Sequence, residues 1–314
     1  MQYPQRIVFM GSPSFSTPTL ERLIQKKYNV IGVYTQPPKP VGRGYKIQPT
    51  PVQLCAEKHN LPIFTPKSFQ KDPSALSTLK NLNPDLIISI AYGLILPLSV
   101  LAIPIYKCLN LHASLLPRWR GSSPLQYALM QGDEKTGVTL MEMEEGLDTG
   151  PMLYKEEVTI KHHTTFTELL STLSSLSADV LEKTLPLYLE KKINSKKQPL
   201  KGVTYAPKIK KIDGKLQWDK SADFAIRQLH ALSPWPGVYF EYKGINIKVL
   251  QAIAIPSPSP NAKPGTSLCE KELIFQCAKG TAIKCTIVQQ PGKKAMTCEE
   301  FLRGTPINKG TFLL

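Results

Sequence analysis

The sequence predicts an α/β domain built on a mostly parallel sheet, followed by a smaller β-barrel domain. Three observations carry this. Through residues 1–189, short apolar runs alternate with amphipathic stretches, the texture of βαβ units. Beyond a lysine-rich stretch the pattern becomes one amphipathic helix among several short strands parted by turns. A chain of 314 residues is long enough to bury two cores.

The first strand is Arg6-Ile-Val-Phe-Met10, a continuous apolar run suited to burial on both faces. Gly11 to Phe15 turns the chain, Thr17 to Lys27 reads as a helix with Pro18 in its first turn, and Val30 to Tyr34 is the next strand. This βαβ unit lacks GxGxxG, because Gly11 stands alone where a dinucleotide fingerprint needs three glycines. A Rossmann-like sheet without a nicotinamide cofactor follows.

Thr35 to Lys46 holds three prolines, two glycines and three cations, which argues against regular structure and for an exposed loop. A solvated connector is the plain reading, although a Gly42-Arg43-Gly44 tip also suits contact with phosphate. Thr50 to His59 reads as a helix, Leu61 to Phe64 as a short strand and Asp85 to Ala91 as a further parallel strand. Cys108 to His112 is the next strand, Pro124 to Met130 a short helix, and Gly137 to Met143 and Met152 to Ile160 two more strands. Thr165 to Leu189 is helical, interrupted or ended near Pro186. Residues 1–189 form the expected first domain and 190–211 a basic linker with no acid after Glu190. Residues 212–314 form the second domain, an OB-like barrel with a helix over Ser221 to Leu232.

Charge separates the two parts. Residues 1–200 carry 22 Lys and Arg against 16 acids, whereas residues 201–314 carry 17 against 8. The basic second part points to an anionic partner, nucleic acid ahead of membrane because no basic amphipathic helix is present. Six cysteines, none in a CxxC pair, read as reduced thiols in a cytoplasmic protein. No cluster with metal-ligand spacing is present, and no apolar run is long enough to span a bilayer.

The chemistry converges on Cys108 to Gly121. Side chains two apart on a strand share a face, so Asn110 and His112 stand side by side at a strand's carboxyl end, where open α/β sheets hold ligands. Asp148 lies on a glycine-bracketed loop that follows. An amide N–H beside an imidazole N–H can cradle an oxygen that becomes negative in acyl transfer, and a carboxylate would orient the ring. No activated nucleophile is evident, which favours direct transfer. A satisfied core histidine and a turn-forming aspartate are the plain alternative. From the residues alone the reading stops at acyl or one-carbon transfer near nucleic acid.

Longer motifs extend this. Val8-Phe-Met-Gly-Ser-Pro-Ser-Phe15, Gln36-Pro-Pro-Lys-Pro-Val-Gly-Arg-Gly44, Ala91 to Pro97, Asn110 to Gly121, Gly146-Leu-Asp-Thr-Gly150, Val203 to Ile209 and Pro291 to Met296 together resemble the 10-formyltetrahydrofolate-dependent formyltransferases, and among them the enzymes that formylate methionyl-tRNA. The resemblance implies a catalytic trio of Asn110, His112 and Asp148, with Ser114, Leu115, Leu116 and Pro117 lining the folate site. It implies tRNA contacts at Lys39, Arg43, Lys46, Lys208 and Lys210, a 10-formyltetrahydrofolate donor, methionyl initiator tRNA as acceptor, no metal and a monomer. Ser12, Ser14, Pro38 and Lys39 stand where such enzymes commonly carry Thr, Asp, Asp and Arg. Formylation of a small nucleotide or sugar amine, and a non-catalytic tRNA-binding relative, are the two rival expectations.

Overall fold

Tyr3–Gly11 forms the first strand, β1, and its apolar half is wholly buried: Ile7, Val8, Phe9 and Met10 have no exposed surface. The computed structural model describes residues 3–41 and 46–313. These fall into two units, the first running to Pro124 with Lys135–Thr159 and Leu169–Pro207, the second containing Leu125–Glu134, Ile160–Glu168 and the chain from Lys208. The stretch 190–211 is thus divided between them after Pro207.

In the first unit, α1 (Thr17–Gln25) connects β1 to β2 (Tyr28–Tyr34). The hairpin strands β3 (Lys39–Val41) and β4 (Lys46–Gln48) come next, then α2 (Pro51–Lys58), whose preceding Thr50 caps it by accepting from the Gln53 N–H. β5 (Ile63–Phe64), α3 (Pro73–Asn81) and β6 (Leu86–Ile90) follow, then α4 (Leu98–Leu101) and β7 (Cys108–His112). α5 (Pro124–Gln131) belongs beyond Pro124 to the second unit, while the two long strands β8 (Lys135–Glu142) and β9 (Met152–Thr159) and α6 (Phe166–Leu189) from Leu169 onward belong to the first.

The seven-stranded sheet has the order β5-β2-β1-β6-β7-β8-β9. β5 through β7 are parallel, while β8 is antiparallel to β7 and β9 to β8. The chain steps outward from β1 to β2 and β5, then returns to place β6 on the other side of β1. That reversal opens a crevice at the carboxyl ends of β1 and β6, the kind of place where doubly wound sheets bind ligands. At this edge the Ser12 hydroxyl donates to the Tyr92 carbonyl (3.0 Å) and accepts from the Gln36 N–H (3.1 Å).

Two local expectations are corrected. The proline-rich loop contains regular structure, the antiparallel ribbon of β3 with β4, in which Pro40 sits opposite Ile47. A two-stranded ribbon is edge on both sides, so a proline that lacks an N–H can be accommodated there. The second concerns α6, which continues through Pro186 to Leu189. Pro186 removes one bond near the helix end, and buried Leu185 and Leu189 keep the last turn packed.

The second unit contains α7 (Ala222–Leu232), capped by Ser221, and β10 (Val238–Tyr242), β11 (Ile245–Pro256), β12 (Ile274–Gln276), β13 (Thr281–Gln289) and β14 (Met296–Thr297). The antiparallel sheet runs β10-β11-β13-β12, with β14 also on β13. Register shifts in β11 around Gln251 mark an irregularity of the kind that curls a sheet towards a barrel. Phe275 packs against both Phe240 and Trp218 in its core. The last helix, α8 (Cys298–Gly304), opens with a reciprocal Thr297–Glu300 capping box. All six cysteines are free thiols. Among the described residues, no helix is long and apolar enough to cross a membrane, and no group of three or more His, Cys, Asp or Glu is arranged to hold a metal ion.

Candidate active site

β7 is paired on both sides, with β6 and with β8. Ser89 of β6 pairs with Asn110, while Met141 and Thr139 of β8 pair with Asn110 and His112. His112, the last residue of the strand, is buried at 6 % exposure, and Asn110 is half-buried. The strand period sets both side chains on one face, as the sequence predicts.

Asp148 reaches that face by an indirect route. The register puts Glu142 opposite Leu109, three residues before His112. The β8–β9 turn therefore begins short of the histidine and has to run back along the sheet face. Gly150 permits it: a Cβ there would lie 1.8 Å from the Glu142 carbonyl oxygen, which only glycine avoids. Asp148 itself is left-handed, at φ 51°, a conformation that Asp and Asn tolerate better than most residues. Its Oδ2 ends 3.5 Å from His112 Nδ1 and accepts the Gly121 N–H at 2.8 Å.

The other ring nitrogen, Nε2, lies 2.9 Å from the Trp119 carbonyl oxygen. Both nitrogens therefore face oxygen atoms, Nε2 at hydrogen-bonding distance and Nδ1 farther off. Cys108, on the same strand, is no nucleophile: burial pushes its thiol up to about 12, so the thiolate is scarce near neutral pH.

The turn after β7 is braced from beneath. Thr139 Oγ1 donates to the Ser114 carbonyl (2.7 Å) and accepts from the Leu116 N–H (3.1 Å), and Ser114 Oγ donates to the Arg118 carbonyl (2.6 Å). Ser114 and Leu116 have no exposed surface, whereas Leu115 and Pro117 are half-buried. Of these four residues, only the latter two have exposed surface.

Arg118, Trp119 and Arg120, whose roles the sequence leaves open, divide their work. The Arg118 guanidinium stacks 4.2 Å from the centre of the Trp119 ring. The Trp119 N–H donates to Thr204 Oγ1 (2.9 Å), and the Arg120 backbone bonds Thr204 and Ala206. Gly121, at φ 117°, lies so close to the Ala206 carbonyl that a Cβ would stand 2.7 Å from it. The buried Arg120 side chain donates to Gln198 Oε1 through Nε (3.1 Å) and Nη2 (2.8 Å). Gln198 Nε2 in turn donates to the Asp148 and Gly150 carbonyls, both at 2.8 Å.

Sequence reasoning missed Thr139, Gln198 and Thr204. Val203 to Ile209 belongs to a recognisable motif and offered a signal for Thr204, but a single glutamine among lysines offered none. Lys39, Lys46, Lys208 and Lys210 are all exposed, and Lys39 donates to Gln36 Oε1. Arg43 lies outside the described residues.

Comparison with known proteins identifies the family. Residues 5–185 match the formyl transferase family, and residues 208–306 match the formyl transferase C-terminal domain. The chain belongs to the formyl transferase family. It is 45 % identical to the methionyl-tRNA formyltransferase of Paramagnetospirillum magneticum, over 98 % of this chain and 99 % of that one. With the methionyl-tRNA formyltransferase of Methylococcus capsulatus the identity is 43 %, over 95 % and 96 %. The fold resembles an N-formyltransferase from Helicobacter canadensis, solved with folinic acid and dTDP-3-aminofucose, at a TM-score of 0.67 and 16 % identity, covering 91 % of this chain and 99 % of that one. HypX from Aquifex aeolicus with tetrahydrofolic acid gives a TM-score of 0.58 at 18 % identity, with 99 % of this chain matched to 50 % of that one.

Proposed function

We propose that this formyltransferase moves the formyl group of 10-formyltetrahydrofolate onto the α-amine of the methionine carried by initiator tRNA. Relatives of nearly equal length and more than 40 % identity are named methionyl-tRNA formyltransferase, and the observation that carries the reading is Asp148 brought to His112, on the strand face that also carries Asn110. The neutral amine attacks the formyl carbon, a nitrogen–carbon bond forms, and the formyl oxygen becomes negative. The Asn110 amide donates to that oxygen. His112 supplies a second donor from Nδ1, because Nε2 is held by the Trp119 carbonyl and the 3.5 Å gap to Asp148 is too long to occupy Nδ1 fully. Asp148 orients the ring and stabilises its positive charge. The carbon–nitrogen bond to the donor then breaks as the proton lost by the amine passes to the donor nitrogen, with Asp148 assisting.

Leu115 and Pro117 present the folate-facing surface, and Ser114 and Leu116 hold its shape through Thr139. Lys39, Arg43 and Lys46 meet the acceptor end of the tRNA, and Lys208 and Lys210 meet its phosphates. The test is formylation by the purified protein, with 10-formyltetrahydrofolate as donor, of charged initiator tRNA, charged elongator tRNA and a sugar amine in parallel. Transfer to initiator tRNA alone supports the reading. Transfer only to the sugar amine overturns it in favour of the small-amine enzymes, and tRNA binding without turnover makes the protein a non-catalytic relative.

A further inference from the structure

We propose that Gln198 is a positioning residue for Asp148, and that Arg120 sets the direction in which its amide acts. The inference rests on the catalytic role proposed for Asp148. Gln198 lies far from the trio in sequence, in a lysine-rich stretch without a catalytic signature. In space its side chain is the clasp of the Asp148 loop. Nε2 donates to the Asp148 carbonyl and the Gly150 carbonyl, both at 2.8 Å, and so grips the loop at the aspartate itself and two residues beyond.

That grip falls where the backbone needs it. Asp148 is a non-glycine residue at φ 51°, a conformation that persists when its surroundings over-determine it. Its carboxylate must also stay within reach of His112 Nδ1 at 3.5 Å while accepting the Gly121 N–H. A small rotation of the loop would spoil both contacts.

Arg120 fixes which way the Gln198 amide faces. Its Nε and Nη2 both donate to Oε1, so a reversed amide would press an NH₂ group against a guanidinium. A charge-assisted bond at the oxygen also polarises the amide and strengthens the two N–H donors opposite. The short run Trp119-Arg120-Gly121 consequently touches every part of the pair. The Trp119 carbonyl holds His112, the Gly121 N–H holds the Asp148 carboxylate, and Arg120 holds the backbone of Asp148 through Gln198. The run itself is anchored to Thr204 and Ala206, on the same segment as Gln198.

Two substitutions separate the donor and acceptor sides of the amide. Gln198→Ala removes both. Gln198→Glu keeps an oxygen for Arg120 and makes that contact an ion pair, but loses both N–H donors to the loop. We expect each to lower kcat about 10- to 100-fold, the effect of a misplaced catalytic group. The KM values for tRNA and for 10-formyltetrahydrofolate should stay within about twofold in both variants, each of which should still unfold in one cooperative transition. In an Asp148→Asn background, Gln198→Glu should cost less than about threefold more, because a residue acting through Asp148 has little left to act on.

Gln198→Glu at wild-type kcat would overturn the proposal, as would a loss that multiplies undiminished in the Asp148→Asn background, or an effect confined to KM. The parallel Asp148→Asn enzyme identifies which idea has failed. If it retains near wild-type kcat, the catalytic role of Asp148 falls and the positioning role with it. If it is inactive while Gln198→Glu is fully active, only the positioning role falls.

Discussion

Replacing Asp148 by Asn removes one negative charge and leaves shape almost unchanged. Asn tolerates the left-handed backbone that Asp148 adopts, and its side-chain oxygen can still accept the Gly121 N–H. What is lost is the attraction between the carboxylate and a protonated His112 at 3.5 Å. At an effective dielectric constant of about 20 that attraction is about 5 kcal/mol. The Asp148 side chain is 17 % exposed, so water screens part of it. A remaining loss of roughly 3–4 kcal/mol in the transition state lowers kcat about 10²- to 10³-fold. Single-turnover formylation at saturating donor and charged tRNA measures the chemical step directly, and a thermal melt within about 2 °C of wild type shows that the fold is intact. A single-turnover rate within threefold of wild type, in a protein that melts normally, would refute the electrostatic role.

Gly150→Ala should destabilise the first unit by roughly 2–4 kcal/mol, visible as a lowered melting temperature, because its Cβ would meet backbone that cannot move aside. Replacing Lys208 and Lys210 together by Ala should raise the KM for charged tRNA and leave that for the folate donor unchanged. The same variant should also make the salt dependence of tRNA binding shallower by about one to two on a log–log plot. In the second unit, burial foremost, then the neighbouring His163, push His230 below its ordinary value, while Glu168 opposes and His162 adds to the depression. The unfolded chain then binds more protons just below the ordinary histidine range, so stability falls on acidification through that window. His230→Gln should flatten that slope in melts recorded across mildly acidic pH.

Much of the architecture was legible because it rests on local periodicity. The β1 run of apolar residues could only be a buried strand, and Thr50 before Pro51 marks the start of α2 by its capping chemistry. The Thr297–Glu300 capping box was equally readable and announces α8, which strand-seeking over the second domain passes by. The β3–β4 ribbon was hidden because proline and glycine content argues against strands in general, while a ribbon with two free edges escapes that rule.

At the active site the division is sharper. The strand period alone puts Asn110 and His112 on one face, and a glycine-bracketed aspartate announces a loop. Nothing local says that the β8–β9 turn begins beside Leu109 and must double back to the histidine, since that follows from the antiparallel register of β8 on β7. Nor does any local pattern pick Gln198 out of its lysine-rich surroundings. Its function is made by bonds to residues 78 and 50 positions away, Arg120 and Asp148. Local spacing singled out the candidate groups, and only tertiary packing decided what holds them together.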